Sequence, residues 1–174
     1  MLSKPDPAIM RLKYRKLLSN LGNAFQAITG NNAWNSGSEA RDFMASVRQE
    51  GLDCFQAAGV ACASEEEYTE QVQRLFHTEP VGGQKRSGSS TWQSLIRGHT
   101  TVETDYLNGE IVLLGRLHGI QTPYNSVLRR ESTRVAGEAK GPGTLSLADL
   151  QAKVEAEPAC MDAMASKKRF SEDL

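Results

Sequence analysis

A chain of 174 residues with 20 basic and 21 acidic side chains carries a formal charge of -1. That length suits one domain able to bury its own core, and the charge balance excludes the concentrated basic field of a nucleic-acid-binding module. No apolar run reaches the length of a membrane span, and Lys4, Pro5, Asp6 and Pro7 interrupt the N-terminus before a secretory signal forms, so the chain reads as soluble and cytoplasmic.

Helical signals follow one another along the sequence. Asp6 as N-cap and Pro7 at the first helical position predict a helix that runs to Thr29 and stops at Gly30. Gly30 to Ser38 (GNNAWNSGS) has the composition of a loop. A second helix is expected from about Glu39 to Ala58, ending at Gly59. Ser64 followed by Glu67 forms a capping box that opens a third helix, reaching about Phe76. The glycine-rich stretch Glu79 to Gly88 is a connector or a binding loop. Ser89 or Ser90 caps a short helix through Ile96, and a longer helix is expected from about Val102 to Leu117 before Gly119. Thr122-Pro123 opens another through about Val135, Gly137 to Gly143 breaks the pattern, and Ser146 begins a last helix to about Glu157. Beyond Pro158 the periodicity fades, and residues 159–174 read as a frayed or disordered tail after a helical domain of residues 1–158. With no repeat and almost no strand signal the fold class is all-α.

The residues best suited to chemistry lie near the start. Lys16, Asn20 and Asn23 sit at i, i+4 and i+7, and at about 100° per residue they share one strip of a helix. An ammonium beside two carboxamides can hold and protonate a small oxygen-bearing molecule. On spacing alone the same row fits a solvated polar edge, and that plainer reading has the better odds. Ser89-Ser90-Thr91-Trp92-Gln93 at a helix start offers a hydroxyl and free N–H groups to a carboxylate or phosphate, or simply a cap. Glu103 has a ready explanation in the helix macrodipole and gains weight only beside Lys16, where a carboxylate would hold the ammonium charged. Cys54, Cys62 and Cys160 form neither a disulfide framework nor a zinc pattern, and Cys54 and Cys62 read as small buried hydrophobes. His77, His99 and His118 are scattered, so no metal is assigned. Gly141-Pro142-Gly143 lacks the third glycine and the strand of a dinucleotide fingerprint. Trp34 and Trp92 read as packing anchors.

Three segments together carry a resemblance. They are Lys16-Leu17-Leu18-Ser19-Asn20, Ser90-Thr91-Trp92-Gln93-Ser94, and Glu103-Thr104-Asp105-Tyr106-Leu107-Asn108-Gly109 with its sequel through Gly119 and Thr122-Pro123-Tyr124-Asn125. In this order they resemble the C-terminal helical domain of ketopantoate reductases (2-dehydropantoate 2-reductases), from roughly Met10 to Arg130. The resemblance implies reduction of 2-dehydropantoate to pantoate with NADPH, the cofactor held mainly by an N-terminal Rossmann domain. It implies Lys16 as the catalytic lysine, Asn20 as a substrate ligand, and Ser90 as the contact to the substrate carboxylate. The spacing to Glu103 is one residue longer than in well-known members, which leaves Ser89 or Thr91 open for that role. Glu103 would act near the lysine and the cofactor ribose. The family's second asparagine falls on Ala24, with Asn23 beside it as a possible substitute, so a related 2-oxo acid could replace 2-dehydropantoate.

No segment of the chain supplies the glycine pattern or alternating strands of a Rossmann domain. The chain is therefore expected to be half of an active site: the C-terminal part of a longer protein, a separate natural chain, or the partner of a Rossmann chain. The alternative is a non-catalytic helical module retained for docking or homodimerisation through apolar helix faces.

Overall fold

The computed structural model of the chain describes residues 8–34, 37–75 and 88–158. Within them lie eight α-helices: α1 Ile9–Asn20, α2 Gly22–Trp34, α3 Gly37–Ala57, α4 Glu65–Leu75, α5 Ser90–Ile96, α6 Asn108–His118, α7 Pro123–Gly137 and α8 Leu147–Glu155, with a 3-10 turn at Glu103–Tyr106. No strand occurs among the described residues, and the fold is all-α. None of these helices is long and apolar enough to cross a membrane.

Several helix starts are set by the chemistry expected of them. The Glu67 N–H donates to Ser64 Oγ at 3.1 Å. Ser146 and Asp149 exchange side-chain and backbone bonds as a full capping box at α8, and Pro123 takes the first turn of α7. Other boundaries differ. The single helix expected up to Thr29 is two, divided at Leu21. The helix expected from Val102 begins only at Asn108, because Leu107 leaves helical geometry (φ -108, ψ -85) and the preceding residues close a 3-10 turn. The Asp6–Pro7 cap, most of the glycine-rich stretch and the tail after Pro158 lie outside the described residues.

Gly30 does break α2, with φ 83 and ψ 168, yet helical hydrogen bonding resumes to Trp34 where a loop was expected. The break exposes carbonyls that a regular helix would use internally. Gly143 N–H bonds Ala27 O at 3.2 Å and Leu145 N–H bonds Ile28 O at 3.0 Å, so the segment before α8 closes the gap.

The core gathers around α7. Leu18 and Leu21, Phe25 and Ile28, Phe55, Ile111, Val127, Leu128, Val135 and Leu150 are buried there. Phe43 bridges Phe25 (centroids 5.3 Å apart) and Tyr124 (5.0 Å), tying α2, α3 and α7. Trp92 packs against this core as an anchor. Glu131 on α7 sits among Arg134 (3.0 Å) and Lys153 of α8 (3.4 Å), which compensate its burial.

Gly115 shows how tightly the end of α6 turns. A Cβ there would lie 2.6 Å from the Ile120 carbonyl oxygen and 2.8 Å from the Thr122 methyl. Gly115→Ala is expected to destabilise the chain by about 2 kcal/mol. Gly137→Ala, with nothing within 4 Å of the added carbon, should be neutral or slightly stabilising. Paired urea denaturation curves check both, and equal effects would rule out the contact as the cause.

Candidate functional site

The site begins at the division between α1 and α2. Lys16 and Asn20 lie on α1 and Asn23 on α2, so the strip expected on one continuous helix is carried by two helices meeting at Leu21. Lys16 is exposed, Asn20 and Asn23 are half-buried, and Ala24 is buried in the core. The one-residue offset thus separates a half-buried amide from a position buried in the core.

A buried polar chain holds this junction. Asn108 Nδ2 donates to the Leu21 carbonyl at 3.2 Å and to Asn125 Oδ1 at 2.9 Å. Asn125 Nδ2 in turn donates to Val47 O at 3.0 Å and to Glu50 Oε2 at 2.7 Å. The Glu50 carboxylate also accepts from the backbone N–H groups of Tyr124 (Oε1, 2.8 Å) and Asn125 (Oε2, 2.9 Å), at the first turn of α7. Asn108 and Asn125 are fully buried and Glu50 is 8% exposed. Burial raises the Glu50 carboxyl above the ordinary 4.5, and the bonds from Asn125 and Tyr124 work the other way. Asn108 and Asn125 belong to the most specific motifs in the sequence. Their role here is to fix the backbone between the helix of Lys16 and the helix of Asn23.

Glu50 escaped the sequence analysis, although a signal existed. It interrupts the apolar stripe Phe43, Met44, Val47, Cys54 and Phe55, which α3 turns inward, and a carboxylate on such a stripe needs partners.

The α5 start lies against α2. Ser89 N–H donates to Gln26 Oε1 at 2.7 Å, Ser89 Oγ donates to the Asn23 carbonyl at 3.3 Å, and Trp92 N–H donates to Ser89 Oγ at 3.3 Å. Ser89 is therefore the N-cap and its hydroxyl is committed. Ser90, one residue on, is exposed, and its hydroxyl has no protein partner among the described residues. Thr91 is buried, its Oγ1 without a partner among the described residues. These bonds bring the serine segment to the backbone of Asn23, across a long separation in sequence.

Glu103 opens the 3-10 turn and is exposed. The turn packs on α6 and α7, whereas α1 packs on α3 and α4. Among the described residues no ion pair joins Glu103 to Lys16, and neither side chain has a protein partner. Asp105 of the same turn faces Arg129 at 3.6 Å. The structure thus joins Asn23 to the serine segment directly and leaves Lys16 and Glu103 as separate, uncommitted charges.

Lys16 lines a groove between α1 and α4, together with Ile9, Leu12, Lys13, Tyr68, Gln71 and Val72, with a volume of about 190 Å³. Arg11 closes one side of this helix pair through Glu67 at 2.8 Å, and Arg15 Nε donates to Ala63 O at 2.7 Å.

Cys54 is buried, with Sγ 3.6 Å from the Ile111 carbonyl. Burial, reinforced by Glu50 and Asp53, pushes its thiol up to about 11, which keeps it an inert core residue. Among the described residues no group of three or more His, Cys, Asp or Glu side chains could hold a metal ion.

Residues 8–135 match the family described as ketopantoate reductase PanE/ApbA C terminal. Among solved structures, the PanE/ApbA family ketopantoate reductase from Ralstonia eutropha JMP134 is similar at 27% identity and a TM-score of 0.53, over 72% of this chain and 41% of that one. D-mandelate dehydrogenase, solved with NADH and anilino(oxo)acetate, shares the fold at 23% identity and a TM-score of 0.53, over 77% of this chain and 42% of its own. No curated protein sequence matches. The chain spans about two fifths of the length of either solved relative. A family match over most of the chain, on an all-α fold whose buried Asn108 and Asn125 carry its most specific motifs, shows that the chain belongs to the ketopantoate reductase family as its C-terminal helical domain.

Proposed function

We propose that this chain is the substrate-binding and catalytic half of an NADPH-dependent reductase that converts 2-dehydropantoate, or a related 2-oxo acid, to the 2-hydroxy acid. A Rossmann domain, in the same protein or in a partner chain, completes the site. The observation that carries the reading is the bonding of Ser89 to Gln26 and Asn23. It brings the serine segment against the backbone of Asn23 on α2, while Lys16 and Glu103 have no protein partner among the described residues.

When bound, the dihydronicotinamide supplies the hydride to the ketone carbon. What this chain adds is charge and orientation. Lys16 Nζ donates a proton to the former carbonyl oxygen, and its positive charge stabilises the negative charge that develops there. Asn20, with Asn23 beside it, orients the carbonyl through amide hydrogen bonds. Ser90 Oγ donates to the substrate carboxylate. Glu103, exposed and without a protein partner among the described residues, suits acceptance from a ribose hydroxyl and is the contribution assigned here toward the cofactor.

Ser90→Ala is expected to raise KM for 2-dehydropantoate about tenfold, the worth of one hydrogen bond to a charged group, with a smaller change in kcat. Ser89→Ala should instead lower stability by about 1 kcal/mol through loss of the cap. The assay is NADPH oxidation by the full-length gene product, or by this chain with a separate Rossmann domain. An unchanged KM in Ser90→Ala would remove that serine from the site.

A second reading, a helical docking or homodimerisation module without chemistry, draws on the exposed apolar Leu113 and Leu117 of α6, the latter 68% exposed. Turnover decides between the two, since a docking module has none whatever occupies position 16.

A further inference from the structure

From the cavity where the α6–α7 turn meets the end of α8, we infer an additional binding site that takes a compact free amino acid, its carboxylate on Arg116 and its ammonium on Glu157. The cavity has a volume of about 180 Å³. None of Lys16, Asn20, Asn23, Ser90 or Glu103 lines it.

The wall is built from the turn outward. Gly119 reverses the chain in left-handed geometry (φ 71), and Ile120 N–H bonds the Gly115 carbonyl at 2.9 Å. Without a Cβ at Gly115 this connection lies directly on α6. Val112, Ile120 and Pro123 give the cavity its apolar part. Two hydroxyl-bearing residues interrupt it. Thr122 is 7% exposed and Ser126 half-buried, and neither hydroxyl has a protein partner among the described residues. Thr122 stands at the N-cap of α7 yet makes no side-chain cap bond, because the N–H groups of Tyr124 and Asn125 go to Glu50 instead. A hydroxyl so enclosed is costly until a ligand or water meets it.

Charge selects the ligand. Arg116 has no protein partner among the described residues. Glu157 lines the same cavity, its oxygens held by Arg130 Nη1 at 3.1 and 2.8 Å, which fixes the carboxylate and leaves it further acceptor capacity. These opposite charges share one wall, and no ion pair joins them among the described residues. An amine alone would leave Arg116 unmet, and a dianion would be repelled by Glu157. A zwitterion with a short apolar side chain meets both charges and covers the apolar part. Size sets its scale: an apolar cavity of about 150 Å³ takes up benzene, and 2-aminobutyrate is little larger.

The test is a backbone-amide NMR titration of the full chain at neutral pH with L-2-aminobutyrate, butyrate and propylamine. Each of the last two lacks one of the charges. 2-Aminobutyrate is expected to shift the amide signals of Val112, Ile120 and Ser126 saturably. Each single-charge analogue should bind about tenfold more weakly or worse, the worth of one hydrogen bond between charged groups. Arg116→Gln should weaken 2-aminobutyrate by a similar factor without weakening propylamine. Glu157→Gln should weaken it without weakening butyrate, and it carries the test alone should Arg116→Gln not fold. Absent or unsaturable shifts, shifts away from the cavity, or variants that bind like wild type would overturn the site. Butyrate bound as tightly as 2-aminobutyrate would remove Glu157 from the site and overturn the amino-acid assignment. Turnover does not enter this readout, so its failure leaves the reductase reading standing, and an inactive reductase leaves this site standing.

Discussion

Asn125→Ala is expected to destabilise the chain by about 3 kcal/mol or more, the largest stability loss foreseen for one substitution here. Asn125 makes three side-chain bonds inside the core, to Val47 O, to Glu50 and from Asn108. Its removal leaves a buried carboxylate, a buried carbonyl and a buried amide short of partners, and each unmet group costs about 1–3 kcal/mol. Asn108→Ala should cost less, about 2 kcal/mol, because Asn108 Oδ1 already lacks a partner among the described residues. The two losses should fall short of additive, since the residues share a bond.

Glu50→Gln probes the other end of the chain. Both carboxylate oxygens accept backbone or amide donors, so an amide in either orientation turns an NH2 group toward a donor. A loss of about 2 kcal/mol at neutral pH is expected. The pH dependence adds a sign. The folded carboxyl titrates above 4.5, raised by burial. The folded state therefore holds a proton that the unfolded state has released, and the associated stability is present below 4.5 and lost as pH rises through the folded value. Glu50→Gln should abolish that downward slope. Urea midpoints measured from pH 4 upward check both statements, and a slope unchanged in the variant would assign the titration to another group.

The sequence announced helices where their starts are chemical and local. Ser64 with Glu67, Ser146 with Asp149 and Pro123 each act within a few residues of themselves. The divisions at Leu21 and Leu107 were not legible, because leucine is a strong helix former. The Leu21 carbonyl finds its added donor in Asn108, far along the chain. Glu50 was hidden for a related reason: its partners come from α7, and a lone glutamate on a helix says nothing of where they are. Lys16, Asn20 and Asn23 stood out as one strip of a helix, but that spacing by itself favours a solvated edge, and the catalytic and binding roles of Lys16, Asn20 and Glu103 came through the resemblance. The choice among Ser89, Ser90 and Thr91 was open in the sequence. In the structure Ser89 is used as a cap, Thr91 is buried and Ser90 is exposed.

The second large effect concerns Lys16. Its side chain is exposed and has no partner among the described residues, so Lys16→Ala should change folding stability by no more than about 0.5 kcal/mol. In the proposed reaction the same ammonium supplies both the proton and the local positive charge. Loss of a general acid costs about 10²- to 10⁴-fold in rate, and loss of an electrostatic donor to the developing oxyanion costs a similar factor. The contrast between an unperturbed fold and a collapsed rate separates chemistry from structure at this position. Asn125→Ala should show the reverse order, with stability falling first and rate following through the displaced junction.

The most direct measurement is kcat for NADPH oxidation with a 2-oxo acid, taken on the full-length protein or on this chain joined by a Rossmann partner, wild type against Lys16→Ala. Wild-type turnover that drops by at least about two orders of magnitude in the variant, with an unchanged denaturation midpoint, is the expected result. Turnover that survives the substitution would contradict the assignment of Lys16 as the proton donor and with it the catalytic role of this helical domain.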